Sequence, residues 1–156
     1  MAFDIGAVPR SELRRITDPN QDRDVFAERL VAAIVDGTHD PDSAHWYDVR
    51  VDRTGTKIEV KSTATRIGDD YPADGRFRLW ESQIRSLINS RHAGETGTTW
   101  VAFVLFDEDG QPRRARRMHA ETVLRLVRDR AGWNDSGHEE YDHQHKLPID
   151  SVFADR

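Results

Sequence analysis

A chain of 156 residues with no cysteine has room for one domain with a substantial core, and no means of forming a disulfide or a thiolate metal site. Its 28 acidic residues against 23 basic ones leave a net charge of -5, which excludes a uniformly basic surface but still admits a local basic groove. No apolar run reaches membrane-spanning length and the start carries no signal-like segment, so the expectation is a soluble, cytoplasmic protein.

The basic residues are unevenly chosen: twenty are Arg and three are Lys, namely Lys57, Lys61 and Lys146. An acidic chain that uses Arg in place of Lys suits a halophilic, high-salt cytoplasm, where carboxylates hold a hydration shell. A GC-rich genome would favour Arg codons as well.

In chain order, SELRRI reads as a short helix. Residues 18–37, DPNQDRDVFAERLVAAIVDG, read as the first substantial helix, capped by Asp18 or Asn20. Its apolar residues recur through Phe26, Leu30, Ala33 and Ile34, and Gly37 stops it. The turn-rich THDPDSAH leads into two alternating strands at about 46–52 and 56–63. A polar loop, TATRIGDDYPADG, precedes a second helix near 79–92 with Leu79, Ile84, Leu87 and Ile88 on one side. TTWVAFVLFDEDG, an unbroken apolar run ending in Asp-Gly, predicts a strand buried on both faces. A basic strand, RRARRMH, and a third helix, AETVLRLVRDRA, follow, and HQHKLPIDSVF adds an edge strand. A hairpin followed by a helical crossover to a buried strand implies a mixed central sheet flanked by helices, an α/β fold. The chain reads as a single domain, 1–156, with a core at about 20–131, a short N-terminal extension and a C-terminal tail.

With Thr54-Gly55 as a two-residue loop, Val51 opposes Ile58 and Val49 opposes Val60 on the apolar face. On the other face Asp48 opposes Lys61, Arg50 opposes Glu59 and Asp52 opposes Lys57. Three such pairs, each worth about 0.2–1 kcal/mol, would make an ordinary solvated ladder. Two features point elsewhere. Two of the three lysines fall on this one strand, and a compact amine is not interchangeable with a guanidinium. Asp48, Glu59 and Lys61 together also match the needs of metal-assisted phosphodiester cleavage. Carboxylates hold a hard divalent cation, and an amine offsets charge developing on the phosphate.

Asp48, then Glu59-Val60-Lys61 with Ser62 after it, resembles the signature of the PD-(D/E)XK, or restriction endonuclease-like, nuclease superfamily. YDVRV and KIEVKST followed by FRLWESQ are similar to the branch with an E-V-K-S/T strand, as in NO VEIN C-terminal-type domains. The resemblance spans roughly residues 24 to 107. It implies a restriction endonuclease-like core with Asp48 and Glu59 as metal ligands, Lys61 as catalytic lysine and the Val60 carbonyl as a further ligand. Gln83 falls where many members place a polar residue facing the site, and Glu28 and Ser62 are additional candidates. The literal Pro-Asp pair is Pro41-Asp42, but Asp48 is the residue that pairs with the Glu-Val-Lys strand. Two strands are legible before the second helix where that core has three.

Each further candidate has a plainer alternative. Glu28 also suits the margin of an amphipathic helix, and Gln83 an exposed helical surface. Arg114 and Arg116 share one strand face and suit DNA phosphates, with Arg113 and Arg117 on the other. They could equally balance Glu121 and Asp129. His138, His143 and His145 lie among acids, where a solvated loop competes with a second metal site. No phosphate loop, nucleophile elbow or dinucleotide fingerprint is present.

The function these features imply is a Mg2+-dependent DNA endonuclease, with Mn2+ able to substitute, acting on DNA alone or as a homodimer. The alternatives are a catalytically inactive nuclease-fold module that binds DNA or protein, and a salt-adapted interaction domain.

Overall fold

The computed structural model describes residues 3–68, 73–92, 97–135 and 143–154. A 3-10 turn (Ile5–Ala7) and helix α1 (Arg10–Ile16) precede α2 (Arg23–Val35), then β1 (Thr38–His39), β2 (Val49–Val51) and β3 (Thr56–Ala64). A two-stranded ribbon, β4 (Arg66–Ile67) with β5 (Ala73–Asp74), leads to β6 (Arg76–Trp80) and α3 (Glu81–His92). Strands β7 (Thr99–Phe106) and β8 (Pro112–His119), helix α4 (Ala120–Arg130), β9 (Asn134–Asp135), β10 (His143–Pro148) and α5 (Ile149–Val152) complete the fold.

Helix α2 starts at Arg23, not at the expected caps. Asp18 is engaged locally: its Oδ1 accepts the Asn20 N–H at 2.9 Å, closing a turn around Pro19 that keeps both residues outside the helix. At the other end Asp36 takes φ 53° and the Gly37 N–H bonds Ala32 O at 2.8 Å, which stops the helix where the sequence predicts.

The central sheet has the order β1-β2-β3-β7-β8, with β3 and β7 parallel and the other pairs antiparallel. A parallel pair needs a long crossover, here supplied by β4 through α3. Pairing of Glu59 with Val101 and Lys61 with Phe103 sets these side chains on one face, while Val60 and Ala102 occupy the other. Beneath the second face, Phe26, Leu30 and Val31 of α2 pack on Val49, Ile58 and Val104. Over the first face, Phe77, Leu79, Ile84, Leu87, Leu147 and Phe153 pack on Val101, Phe103 and Leu105. Each such buried Leu or Phe contributes about 1.5–3 kcal/mol, so both faces of β7 are held firmly.

Three expectations are corrected. The hairpin register is Val49 to Ile58, Arg50 to Lys57 and Val51 to Thr56, so none of the expected cross-strand pairs forms. The turn takes Asp52 through Gly55, closed by N–H bonds from Thr54 and Gly55 to Val51 O, with Gly55 at φ 73°. The slip is two residues, an even number, so every side chain keeps its expected face. Second, the stretch just before α3 is a strand, β6; it alternates exposed Arg76 and Arg78 with buried Phe77 and Leu79, and α3 begins at Glu81 rather than 79. Third, β10 is not an edge strand but the middle of a second sheet, β6-β10-β9, and α5 buries Val152 in the core. No described helix is long and apolar enough to cross a membrane.

Candidate active site

Strand β3 outruns β2. Its pairing with β2 ends at Ile58, while pairing with β7 continues to Ala64, so residues 59–64 have one edge free of β2. At the start of that edge Asp48 donates its N–H to Ile58 O at 2.9 Å, and its carboxylate Oδ2 accepts the Val60 N–H at 2.9 Å. The Asp48 side chain thus takes the place of the next main-chain acceptor in the ladder. In an extended strand the N–H and C=O of one residue leave on the same edge, so the Val60 carbonyl faces this edge too.

Glu59 and Lys61 project from the sheet toward α3. Glu59 is 4 % exposed. Its Oε1 lies 3.2 Å from Lys61 Nζ, and its Oε2 is buried without a hydrogen-bond partner. Lys61 Nζ also donates to Gln83 Oε1 at 2.7 Å, and Gln83 Nε2 donates to His45 O at 2.8 Å. Gln83, 7 % exposed, is therefore a strut between the amine and the loop ahead of β2, not a surface residue.

From α2, Glu28 reaches the same cleft, and its Oε1 bonds His39 Nε2 at 2.8 Å. Ser62 donates to Asp24, beside Arg23, and so ties β3 to the first turn of α2. The cleft, about 480 Å3, is lined by Glu28, Asp48, Glu59, Val60, Lys61 and Ser62, with Arg23, Arg76, Arg78, Trp80 and Lys146 on its walls.

Burial, and then the nearness of like charges, raises the proton affinity of the three carboxylates here. Burial pushes the Glu59 carboxyl up to about 8; the Lys61 charge opposes this, while those of Asp48 and Glu28 add to it. Asp48 is also raised by burial, against the Val60 N–H and Lys61. Glu28 is raised by burial and then by Asp48, with His39 pulling it back. Among the described residues no three His, Cys, Asp or Glu side chains form a ready cation cage. The cleft at this strand edge is lined by the Asp48 and Glu59 carboxylates and by Val60, whose carbonyl leaves on the same edge.

A family model described as a PD-(D/E)XK nuclease superfamily domain matches residues 17–154. The chain belongs to this superfamily. A comparison with curated proteins finds no match. The five-stranded mixed sheet between helices is consistent with the restriction endonuclease-like fold; the third strand ahead of α3 is β1, paired with β2, while β6 belongs to the second sheet. The match extends through β10 and α5, and it does not single out the NO VEIN-type branch. Nothing in the described residues supports the homodimer.

Other candidates in this superfamily member lie elsewhere. Asp42, the literal Pro-Asp carboxylate, is exposed and outside the cleft. Arg116 donates to Val152 O at 2.7 Å and the Arg114 guanidinium sits 4.9 Å from the Phe153 ring, so both hold the C-terminal segment and neither lines the cleft. Arg113 pairs with Asp107 and Arg117 stacks on Trp100, while Glu121 pairs with Arg91. His143 faces Glu81 and His145 Nδ1 contacts Gly132 O, so the two do not converge; His138 lies outside the described residues. His39 was not singled out by the sequence. Its turn-rich surroundings carry no motif, and its place beside Glu28 arises only from β1 pairing with β2.

Proposed function

We propose that the chain is a metal-dependent DNA endonuclease that hydrolyses phosphodiester bonds with water, using Mg2+ and accepting Mn2+. The observation that carries this reading is the buried Glu59 carboxylate, with Oε2 unpartnered, beside Asp48 and a lysine held in place by Gln83. An orphaned buried carboxylate oxygen is costly unless a cation completes it. The donor set, Asp48, Glu59 and the Val60 carbonyl, is all oxygen and suits a hard divalent ion.

When bound, such an ion supplies Lewis-acid polarisation of the phosphate and a more acidic water. The chain's own residues do the rest. Asp48 is oriented by the Val60 N–H, so its remaining lone pairs are aimed before any ion arrives. Glu59 and Gln83 each accept one proton of the Lys61 ammonium, leaving a third N–H directed into the cleft to bond the attacked phosphate and offset its growing charge. The apolar packing around Phe77 and Leu79 keeps water from the far side of the pair.

The test is incubation of closed-circular duplex and single-stranded DNA with the protein in Mg2+, in Mn2+ and in EDTA. The reading predicts cutting in both metals, none in EDTA, and none with Glu59→Gln. Equal cutting by wild type and Glu59→Gln would overturn it.

A further inference from the structure

The outer face of the second sheet carries a group of cations that the proposed chemistry does not use. Strand β6 alternates, turning Phe77 and Leu79 into the core and Arg76 and Arg78 outward. In the β6–β10 register Lys146 stands directly opposite Arg78. Same-face neighbours along a strand lie about 7 Å apart, and directly opposed residues about 5 Å apart. All three side chains are exposed and all three line the cleft that holds Asp48 and Glu59.

Their pairing state sets them apart. Arg50, Arg85, Arg91 and Arg113 each meet a carboxylate in this acid-rich chain, but among the described residues none pairs with Arg76, Arg78 or Lys146. The Arg78 guanidinium lies over the ring of Trp80, 5.6 Å from its centroid, which leaves its donors available. Glu28, Asp48 and Glu59 line the same cleft and repel a polyanion when ionised, so a neighbouring row of unpaired cations offsets them.

We infer that this face is the track along which a nucleic-acid strand enters the cleft, with successive phosphates held by Arg76, Arg78 and Lys146. The assignment rests on the nuclease reading. It places backbone binding on the second sheet rather than on the Arg114 and Arg116 strand. The spacing of Arg76 and Arg78 along β6 is comparable to that of successive phosphates on one strand, and Arg offers a fork to each.

The experiment measures DNA binding by anisotropy in EDTA over a salt series, so that no cutting intervenes. The variant Arg76→Ala, Arg78→Ala, Lys146→Ala should lower the slope of log affinity against log salt by about two to three units, at roughly 0.7–0.9 per lost phosphate contact. A charge-matched triple on α4, Arg125→Ala, Arg128→Ala, Arg130→Ala, should change the slope by less than about one unit. Should the first triple fold poorly by melting, Arg76→Gln with Lys146→Gln leaves the Trp80 contact intact and should still lose about one to two units. An unchanged slope in the track variants, or an equal loss in the α4 triple, overturns the track while wild-type cleavage stands. A wild type that binds with full slope, loses it in the track variants and yet cuts nothing in Mg2+ or Mn2+ overturns the nuclease reading and supports the track.

Discussion

Lys61 and Gln83, on a strand and a helix, meet at 2.7 Å, and the same Gln83 amide is anchored on the far side by His45 O. The amine is therefore fixed from α3 as well as from Glu59. Gln83→Ala leaves the His45 carbonyl and one Lys61 proton without partners in a buried setting. The expected cost is about 1–3 kcal/mol of stability, read from urea denaturation. Cleavage should fall more than DNA binding, because the lysine loses its orientation and not its charge. Equal cleavage at saturating DNA would count against the strut.

Divalent ions should raise the melting temperature, since a ligand specific to the native state stabilises it by mass action. At a hundredfold excess over Kd the gain is about 2.7 kcal/mol. Asp48→Asn and Glu59→Gln should each abolish that rise, whereas Asp42→Asn, on the exposed turn, should keep it. A metal response in the Asp48, Glu59 double variant equal to that of wild type would place the ion elsewhere.

Without metal, pH acts through the same carboxylates. The folded chain holds the Glu59 proton up to about 8, well above the ordinary value of 4.5 expected once it is unfolded. Between those limits the native state binds more protons than the unfolded state, so this group's contribution is present at low pH and is lost as pH rises through about 8. Asp48 and Glu28 shift in the same direction. Melting of metal-free wild type from about pH 5 to about pH 9 should therefore decline relative to Glu59→Gln, whose amide does not titrate. Mg2+ affinity should increase over the same span as the proton leaves. Parallel melting profiles for the two proteins would contradict the buried-carboxylate account.

The position of β6 rests on a close approach. A Cβ at Gly75 would lie 1.9 Å from Ala64 O and 2.5 Å from Thr63 Oγ1, so only glycine lets the ribbon turn against β3. Gly75→Ala should cost roughly 1–3 kcal/mol, as overpacking does, and should weaken cleavage by moving the cleft wall that carries Arg76. An unchanged urea midpoint would remove that role from Gly75.

What the sequence reveals follows which interactions are local. The faces of the hairpin were legible because period-two alternation survives an even register slip, so Glu59 and Lys61 share a face as expected. The register was not, because Gly55 with positive φ closes a four-residue turn where two residues were read. Strand β6 was hidden because its partner, β10, lies in the C-terminal segment, and non-local pairing leaves no local periodicity beyond five residues that abut a helix. The Arg cluster of β8 was visible as charge, but the packing of Arg114 and Arg116 on α5 depends on where the C-terminus folds back.

Lys61→Arg separates a catalytic lysine from a merely structural one. Lys61 is largely enclosed, with Nζ held between Glu59 Oε1 at 3.2 Å and Gln83 Oε1 at 2.7 Å. A structural ion pair needs only a cation, and Arg supplies one. On that reading the variant should behave like a tolerated substitution, within about 0.5 kcal/mol. The proposed role needs a compact ammonium that satisfies two acceptors and still presents a third N–H to the phosphate. The planar guanidinium spreads its donors in a rigid fork and reaches farther, so it satisfies Glu59 only by entering the space the phosphate would occupy. Cleavage should then fall by at least about a hundredfold, the lower end of what a positioned catalytic group contributes. The metal-induced rise in melting temperature should persist, because Asp48, Glu59 and the Val60 carbonyl are unchanged. A time course of cleavage for wild type and variant, with melting curves in Mg2+ as the control, decides it. Wild-type rates in Lys61→Arg would remove the lysine from the chemistry and leave it as the counter-charge of a buried carboxylate.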